Sequence, residues 1–302
     1  MWIVMLNGAL GNQMFQYIFA LYLVQNGARV VVDDAAFFGE HVLYSTFEPA
    51  RFFPGGILPR LSEHFSPDVW AAMIARKDHG TPLIEQLREG GLSVHYAHEQ
   101  NASGPSYLGP VTLIPKNNTA DILAFPREQT IYFWGYWLSD LYFKEIQDSF
   151  LSLFHFPPFP TKAQEQMARA ICATDNAAAI HVRRTDMAQL GLSNPPEYFK
   201  RAIAVLEQRI DIDRFFLFSD DIPYCMEHAE ELGLSDIRSR LTVVDGNRGA
   251  EAYVDMQLMS LCRFRIADRS SFSQLAGMLC RVPGNLTTTW EQSEVHGYSI
   301  PV

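Results

Sequence analysis

The feature that most constrains the fold is a rhythm in the second half of the chain. Between Lys162 and Leu279, short apolar runs alternate with segments of helical periodicity. The expected helices are Lys162 to Cys172, Pro195 to Arg209, Ile222 to Leu232, Glu251 to Leu261 and Ser271 to Leu279. The expected strands between them are Ala177 to Val182, Arg214 to Ser219, Leu241 to Val244 and Phe264 to Ala267. Apolar runs of that kind suit strands covered on both faces. Strands alternating with helices imply an α/β chain with a doubly wound, mostly parallel sheet, whose ligands bind at the carboxyl ends of its strands.

The first half opens in the same way. Trp2 to Leu6 reads as a buried strand and NGALGN as a glycine-containing loop. Gln13 to Gln25 is a helix, with Met14, Tyr17, Ile18, Leu21 and Val24 on one stripe, closed by Gly27. Ala28 to Asp34 is the next strand. Phe37 to Asn118 has scattered aromatics, many Pro and Gly and weak periodicity, and is expected to be irregular with some short helices. Thr130 to Trp137 resumes strand character, and Asp140 to Phe154 is helical. The proline-rich stretch FHFPPFP marks a linker, which gives two domains, 1–155 and 156–302.

Charge and cysteine usage narrow the class. The net charge is -10 without a long basic run, which argues against nucleic acid or an anionic membrane as the main partner. Cys172, Cys225, Cys262 and Cys280 are widely spaced in apolar contexts and read as reduced core residues. The apolar first segment has no cationic start and is broken by Asn7, Asn12, Gln13 and Gln16. It fits neither a signal peptide nor a transmembrane segment. The reading is a soluble, cytoplasmic protein that meets an inner membrane, if at all, peripherally.

Three polar sets interrupt this pattern, each just after an expected strand. IHVRRTDM places Arg183, Arg184 and Asp186 at one strand end, next to His181. FLFSDD places Ser219, Asp220 and Asp221 at the next. RIADRSSFS places Asp268, Arg269, Ser270, Ser271 and Ser273 at a later one. Each has an ordinary reading alone: a solvated turn, a helix cap, a core histidine. Together on one rim they can enclose an anionic ligand. Arginines offer paired donors to phosphate oxygens, and a helix start at Ser270–Ser271 offers free N–H groups. The acids suit ribose hydroxyls or purine amino groups.

In order along the chain, GALGNQMFQY, HVRRTD, FSDD and DMQLMSLCRFRIADRSSFS resemble the α-1,2-fucosyltransferases of glycosyltransferase family 11. The resemblance implies a GT-B fold, two Rossmann-like domains facing a cleft, with the acceptor on the amino-terminal side. It implies an inverting transfer from GDP-fucose, held by the carboxy-terminal domain, to the 2-hydroxyl of a terminal galactose. The acceptor would be an oligosaccharide or lipid-linked glycan, and no metal or other cofactor is expected. Carried onto this chain, Arg183 binds the β-phosphate and offsets charge on the departing GDP, supported by His181 and Arg184. Ser219 and Asp220 face the nucleoside; Ser270, Ser271 and Phe272 face the diphosphate. Asn12 and Gln13 line the cleft from the other domain.

Asp186 is the first candidate for a catalytic base, with Glu197, Asp33 and Asp34 as others. Two departures from the family pattern stand out. Arg269 replaces an asparagine, and Gln274 and Leu275 replace two tryptophans. The rival readings are a transferase of the same fold using another nucleotide sugar, and a non-catalytic glycan-binding protein.

Overall fold

The structure, a computed structural model, describes residues 1–40, 42, 46–100, 102, 111–289 and 299–301. The chain forms two compact units, Met1–Pro157 and Pro158–Val302, so the division falls inside the proline-rich stretch.

The first unit holds a five-stranded sheet. Its strands are β1 (Trp2–Met5), β2 (Val30–Asp33), β3 (Val94–Glu99), β4 (Val111–Ile114) and β5 (Thr130–Trp134). They lie in the order β2-β1-β5-β3-β4, and every pairing is parallel. The helices are α1 (Leu10–Gln25), α2 (Pro49–Phe52), α3 (Pro67–Asp78), α4 (Leu83–Glu89), α5 (Thr119–Leu123) and α6 (Asp140–Leu153). β1 and β2 are buried along their whole length, as continuous apolar runs in a parallel sheet require. Ile3, Val31, Tyr96 and Tyr132 pack one sheet face against Trp70 and Ile74 of α3.

The region 37–118 departs from expectation. It carries α2, α3, α4, β3 and β4 and supplies two of the five strands. The signal was weak for physical reasons. α3 buries only Trp70 and Ile74, one residue per turn, so its stripe is narrow. β3 (VHYAHE) has no clean period because its polar residues have partners: His95 Nε2 lies 2.8 Å from Thr112 Oγ1, and Glu99 binds two backbone amides.

The second unit holds a six-stranded sheet of β6 (Ala177–Val182), β7 (Arg214–Ser219), β8 (Leu241–Val244), β9 (Phe264–Ile266), β10 (Leu286–Thr289) and β11 (Ser299–Pro301). The order is β11-β10-β9-β6-β7-β8, again parallel throughout. Its helices are α7 (Lys162–Cys172), α8 (Thr185–Gln189), α9 (Pro196–Glu207), α10 (Ile222–Glu227), α11 (Tyr253–Leu261) and α12 (Ser271–Met278). α7 starts where Thr161 and Gln164 form a reciprocal cap, and α9 where Pro196 pre-sets the first turn.

The α/β rhythm is present as expected, with three local corrections. α10 stops at Glu227, short of the expected Leu232; Glu227, Glu230 and Glu231 would crowd a carboxyl-terminal turn, where the helix dipole disfavours negative charge. The helix expected from Glu251 starts at Tyr253, after a short 3-10 turn over Gly249–Glu251. Two further strands, β10 and β11, follow the last expected helix.

Strand order in this second sheet runs from β6 outward through β7 and β8, then returns to the opposite side of β6 as β9. The reversal therefore lies between β6 and β9. In open parallel sheets, the crevice outside the carboxyl ends at such a reversal is where ligands bind. Among the described residues, no helix is long and apolar enough to cross a membrane.

Candidate active site

Two of the three polar sets meet at that reversal, and the third joins them from β7. Val182 ends β6, and its carbonyl accepts from Ser219 Oγ at 2.7 Å, which ties the end of β7 to it. The Arg183 amide donates to Asp268 Oδ2 at 2.7 Å, and the Arg269 amide to Asp268 Oδ1 at 2.7 Å. The turn that follows belongs to Asp220. Its Oδ1 accepts from the Arg184 amide at 2.8 Å, and its Oδ2 from the Thr185 amide at 3.2 Å and from the Thr185 hydroxyl. Two carboxylates from neighbouring strands thus hold the Arg183–Thr185 backbone from both sides.

The two arginine side chains diverge. Arg183 Nη1 lies 3.3 Å from Asp220 Oδ2, and the residue is partly exposed. The Arg184 guanidinium lies over the ring of Tyr224, 3.9 Å from its centroid. Tyr224 is stacked on His228 at 4.1 Å and sits in α10, which Asp221 caps by accepting from the Tyr224 amide. Sequence reading gave Tyr224 no role; only its spacing from the Ser-Asp-Asp set pointed to it.

Burial shapes the titration of this cluster. Asp268 is 4% exposed, and burial pushes its carboxyl up to about 6. Amides of Arg183, Arg269 and Asn194 pull the other way, and the charge of Asp220 adds to the rise. His181 is 6% exposed, with its ring centroid 5.7 Å from that of Phe272. Burial, and then the Arg183 cation, bring it down to about 4, with Asp220 opposing. The imidazole is therefore neutral near pH 7, a polar wall of the site and not a cation.

α12 opens at the same edge. Ser270 is its cap: Oγ accepts from the Phe272 amide at 3.3 Å, and the Ser270 amide donates to the Asp268 carbonyl. Ser271 and Phe272 form the first turn of this helix start. Leu275 is fully buried, so the place of one family tryptophan is filled by core packing. Asp186 lies in α8, but its side chain is outside the described residues. Glu197 is exposed in the first turn of α9.

The glutamines of the GALGNQMFQY segment act inside the first unit. Gln13 is 1% exposed. Its Nε2 donates to the carbonyls of Gly8 and Thr46, and its Oε1 accepts from the Glu48 amide. Both of its donor hydrogens are used by backbone, so Gln13 acts by holding the loops and not by reaching a ligand. Gln16, which sequence reading passed over, accepts from the Asn7 amide and donates to Asn7 Oδ1 and to the Gly135 carbonyl. Asn12 opens the same helix and is half-buried beside Gly8, whose Cβ, if present, would lie 3.0 Å from Asn12 Nδ2. Asp33 and Asp34 have partners of their own: Tyr132 Oη and the Ala35 amide for the first, the Ser62 amide and hydroxyl for the second.

Comparison with known proteins follows the same lines. A family model, described as glycosyl transferase family 11, matches residues 113–293, more than half of the chain. An alpha-1,2-colitosyltransferase of Escherichia coli is 28% identical over 180 residues, which cover 56% of this chain and 59% of that relative. The match therefore spans less than two thirds of the relative's length. Among solved structures, the fucosyltransferase NodZ from Bradyrhizobium superposes with a TM-score of 0.52 at 15% identity, over 92% of each chain. A second NodZ structure, of the alpha-1,6-fucosyltransferase soaked with GDP-fucose, gives 0.52 at 16% identity over 92% of this chain and 91% of that one. This likeness establishes the fold class as GT-B, α/β with a parallel sheet in each unit.

Proposed function

The chain belongs to glycosyl transferase family 11. From that premise we propose that it moves fucose from GDP-fucose to the 2-hydroxyl of a terminal galactose in a glycan, with inversion at the anomeric carbon. The observation that carries the reading is the Arg183–Thr185 turn, held at the strand-order reversal by Asp220 and Asp268. A departing GDP gathers charge on its phosphate oxygens. A cation met by one carboxylate, on a turn whose backbone two carboxylates hold, needs no rearrangement to meet that charge, which is how preorganised donors stabilise a transition state. The first turn of α12, on the same edge, offers amides to the second phosphate.

Asp220 spends its oxygens on this turn. Its part in donor binding is therefore to aim Arg183, and the nucleoside is left to other groups. The neutral His181 and Phe272 wall the same site. With arginine and amides supplying the positive charge, the transfer runs without a divalent metal.

One finding favours a second donor. The curated relative is named for colitose, the 3-deoxy relative of fucose. GDP-colitose presents the same diphosphate to Arg183 and differs only at one hydroxyl.

The test is incubation of the protein with GDP-fucose or GDP-colitose, with and without EDTA, against a panel of β-galactosides. Product linkage is read by NMR. An α-1,2-fucoside formed at the same rate with the chelator is the expected outcome. Colitosyl product from GDP-colitose alone would transfer the reading to the second donor. An absolute requirement for added metal would contradict the metal-free step.

A further inference from the structure

The stretch RFRIADR, residues 263–269, holds three arginines with different surroundings. Arg263 Nη1 donates to Asn176 Oδ1 at 3.3 Å. Arg265 is 2% exposed, and its guanidinium donates to Thr287 Oγ1 at 3.0 Å, to Asn285 Oδ1 at 2.9 Å and to the Cys262 carbonyl. Both tie β9 to its neighbours. Arg269 differs in place. It stands past the carboxyl end of β9, partly exposed, on the edge where strand order reverses.

The backbone of Arg269 is fixed on both sides. Its amide donates to Asp268 Oδ1 at 2.7 Å, and the Ser270 amide donates to the Asp268 carbonyl at 2.7 Å. Ser270 then caps α12. The other carboxylate oxygen of Asp268 takes the Arg183 amide, also at 2.7 Å. One buried carboxylate thus holds the backbones of Arg183 and Arg269, one on each oxygen. The two arginines start side by side from the paired strands β6 and β9.

Charge makes this an awkward place for an arginine in the protein alone. Arg269 directly precedes the cap of α12, at the positive end of the helix dipole, where a cation is disfavoured. The first turn of α12 has no acidic residue to offset it. Arg183, a second cation, leaves from the same carboxylate. An anion bound there turns each of these repulsions into an attraction.

Buried polar atoms around Asp268 point the same way. Asn194 is 3% exposed, and its amide is one of the three that pull the Asp268 carboxyl back against burial. Oδ1 and Nδ2 of Asn194 have no hydrogen-bond partner among the described residues, and neither does Nδ1 of His181. Asn194 is not a helix cap, because Pro195 occupies that position of α9. Buried polar atoms are nearly always paired. A group of them without partners, next to two arginines, marks a place that a polar ligand completes.

We infer that Arg269 is a second diphosphate-binding cation, which meets the donor beside Arg183. The inference rests on the GDP-sugar reading above and involves the second unit alone. A guanidinium fork matches the oxygens of one phosphate group. Arg183 and Arg269, set on the two oxygens of one carboxylate, offer a fork to each phosphate of the diphosphate.

The test is Arg269→Asn, titrated with GDP and with guanosine, which has the same base and ribose and no phosphate. GDP binding should weaken by ~10-fold or more, as for loss of a charged hydrogen-bond donor, while guanosine binding stays at the parent's value. The thermal melt should equal or exceed the parent's, because a cation leaves the positive end of a helix. Parental GDP affinity in the folded variant overturns the inference. Equal losses for GDP and guanosine also overturn it, since they would give Arg269 a structural task. Should Arg269→Asn fail to fold, Arg269→Lys decides. Its point charge cannot reproduce the fork, so a folded lysine variant must bind GDP several-fold more weakly with guanosine unchanged, and an unchanged GDP affinity overturns the inference. A parent protein that binds no GDP refutes the donor reading itself, so the two failures are distinct.

Discussion

Arg183 and Arg184 are neighbours with different tasks, because they form the turn between the end of β6 at Val182 and the start of α8 at Thr185. Arg183 is oriented by Asp220; Arg184 rests its guanidinium on Tyr224. Arg184→Ala removes a cation–π contact worth about 0.5–2 kcal/mol and leaves the amide on Asp220. Its expected effect is a few-fold change in donor KM. Asp220→Ala is expected to do more harm. It frees the amides of Arg184 and Thr185, the Thr185 hydroxyl and the Arg183 guanidinium at once. Turnover should fall by roughly 10²-fold, which corresponds to losing two or three net hydrogen bonds of about 1 kcal/mol each. Steady-state kinetics on the two folded variants checks the order; equal losses would mean that Asp220 does not aim the turn. At this scale the sequence brought out residues that meet at one edge of the second sheet, and could not show their hydrogen-bond partners. Asp220 looked like a nucleoside ligand and Gln13 a sugar ligand, because a one-dimensional reading cannot see that backbone amides already occupy them.

At the scale of elements, the second unit was legible and the first only in part. β6 and β7 were recognised to the residue because buried parallel strands are nearly unbroken apolar runs, and β8 because its short apolar run stands alone. β3 and α3 escaped because their polar residues are satisfied internally and their apolar stripe is narrow. Two strand ends and the first turn of α11 also set the pH response. Burial raises Asp33 and Asp268 to about 6 and Asp255 to about 7. A carboxyl raised in the folded state binds its proton more readily there than when unfolded. Its stabilising contribution is therefore present at low pH and lost as pH rises through about 6 to 7. His181, lowered to about 4, works the other way, losing its contribution as pH falls from its unfolded value toward 4. Three groups outweigh one. Between pH 8 and 5.5 the melting temperature should rise slightly while turnover falls. The fall comes because protonation of Asp268 turns one amide-accepting oxygen into a donor beside Arg183 or Arg269. Parallel pH series of thermal melts and initial rates test this. A melting temperature that falls in step with activity would mean that acid unfolds the protein, not that it loosens one turn.

On the scale of the whole molecule, the two units repeat one plan. Each has a parallel sheet, and each family segment follows the strand at which strand order reverses, GALGNQMFQY after β1 and HVRRTD after β6. The repeat ends there. In the first unit the segment supplies braces, Gln13 and Gln16, that tie loops together; in the second it supplies a cation. The central claim is that Arg183 is that cation and that it meets the diphosphate. Calorimetric titration of GDP into the parent, Arg183→Ala and Arg183→Lys proteins, each confirmed folded by thermal melt, tests it most directly. Removing one charged hydrogen-bond donor costs about 1.5–3 kcal/mol, which corresponds to roughly 10- to 150-fold weaker GDP binding. The lysine variant should recover little, since a point charge cannot reproduce the planar fork. A folded Arg183→Ala protein that binds GDP as tightly as the parent would contradict the account.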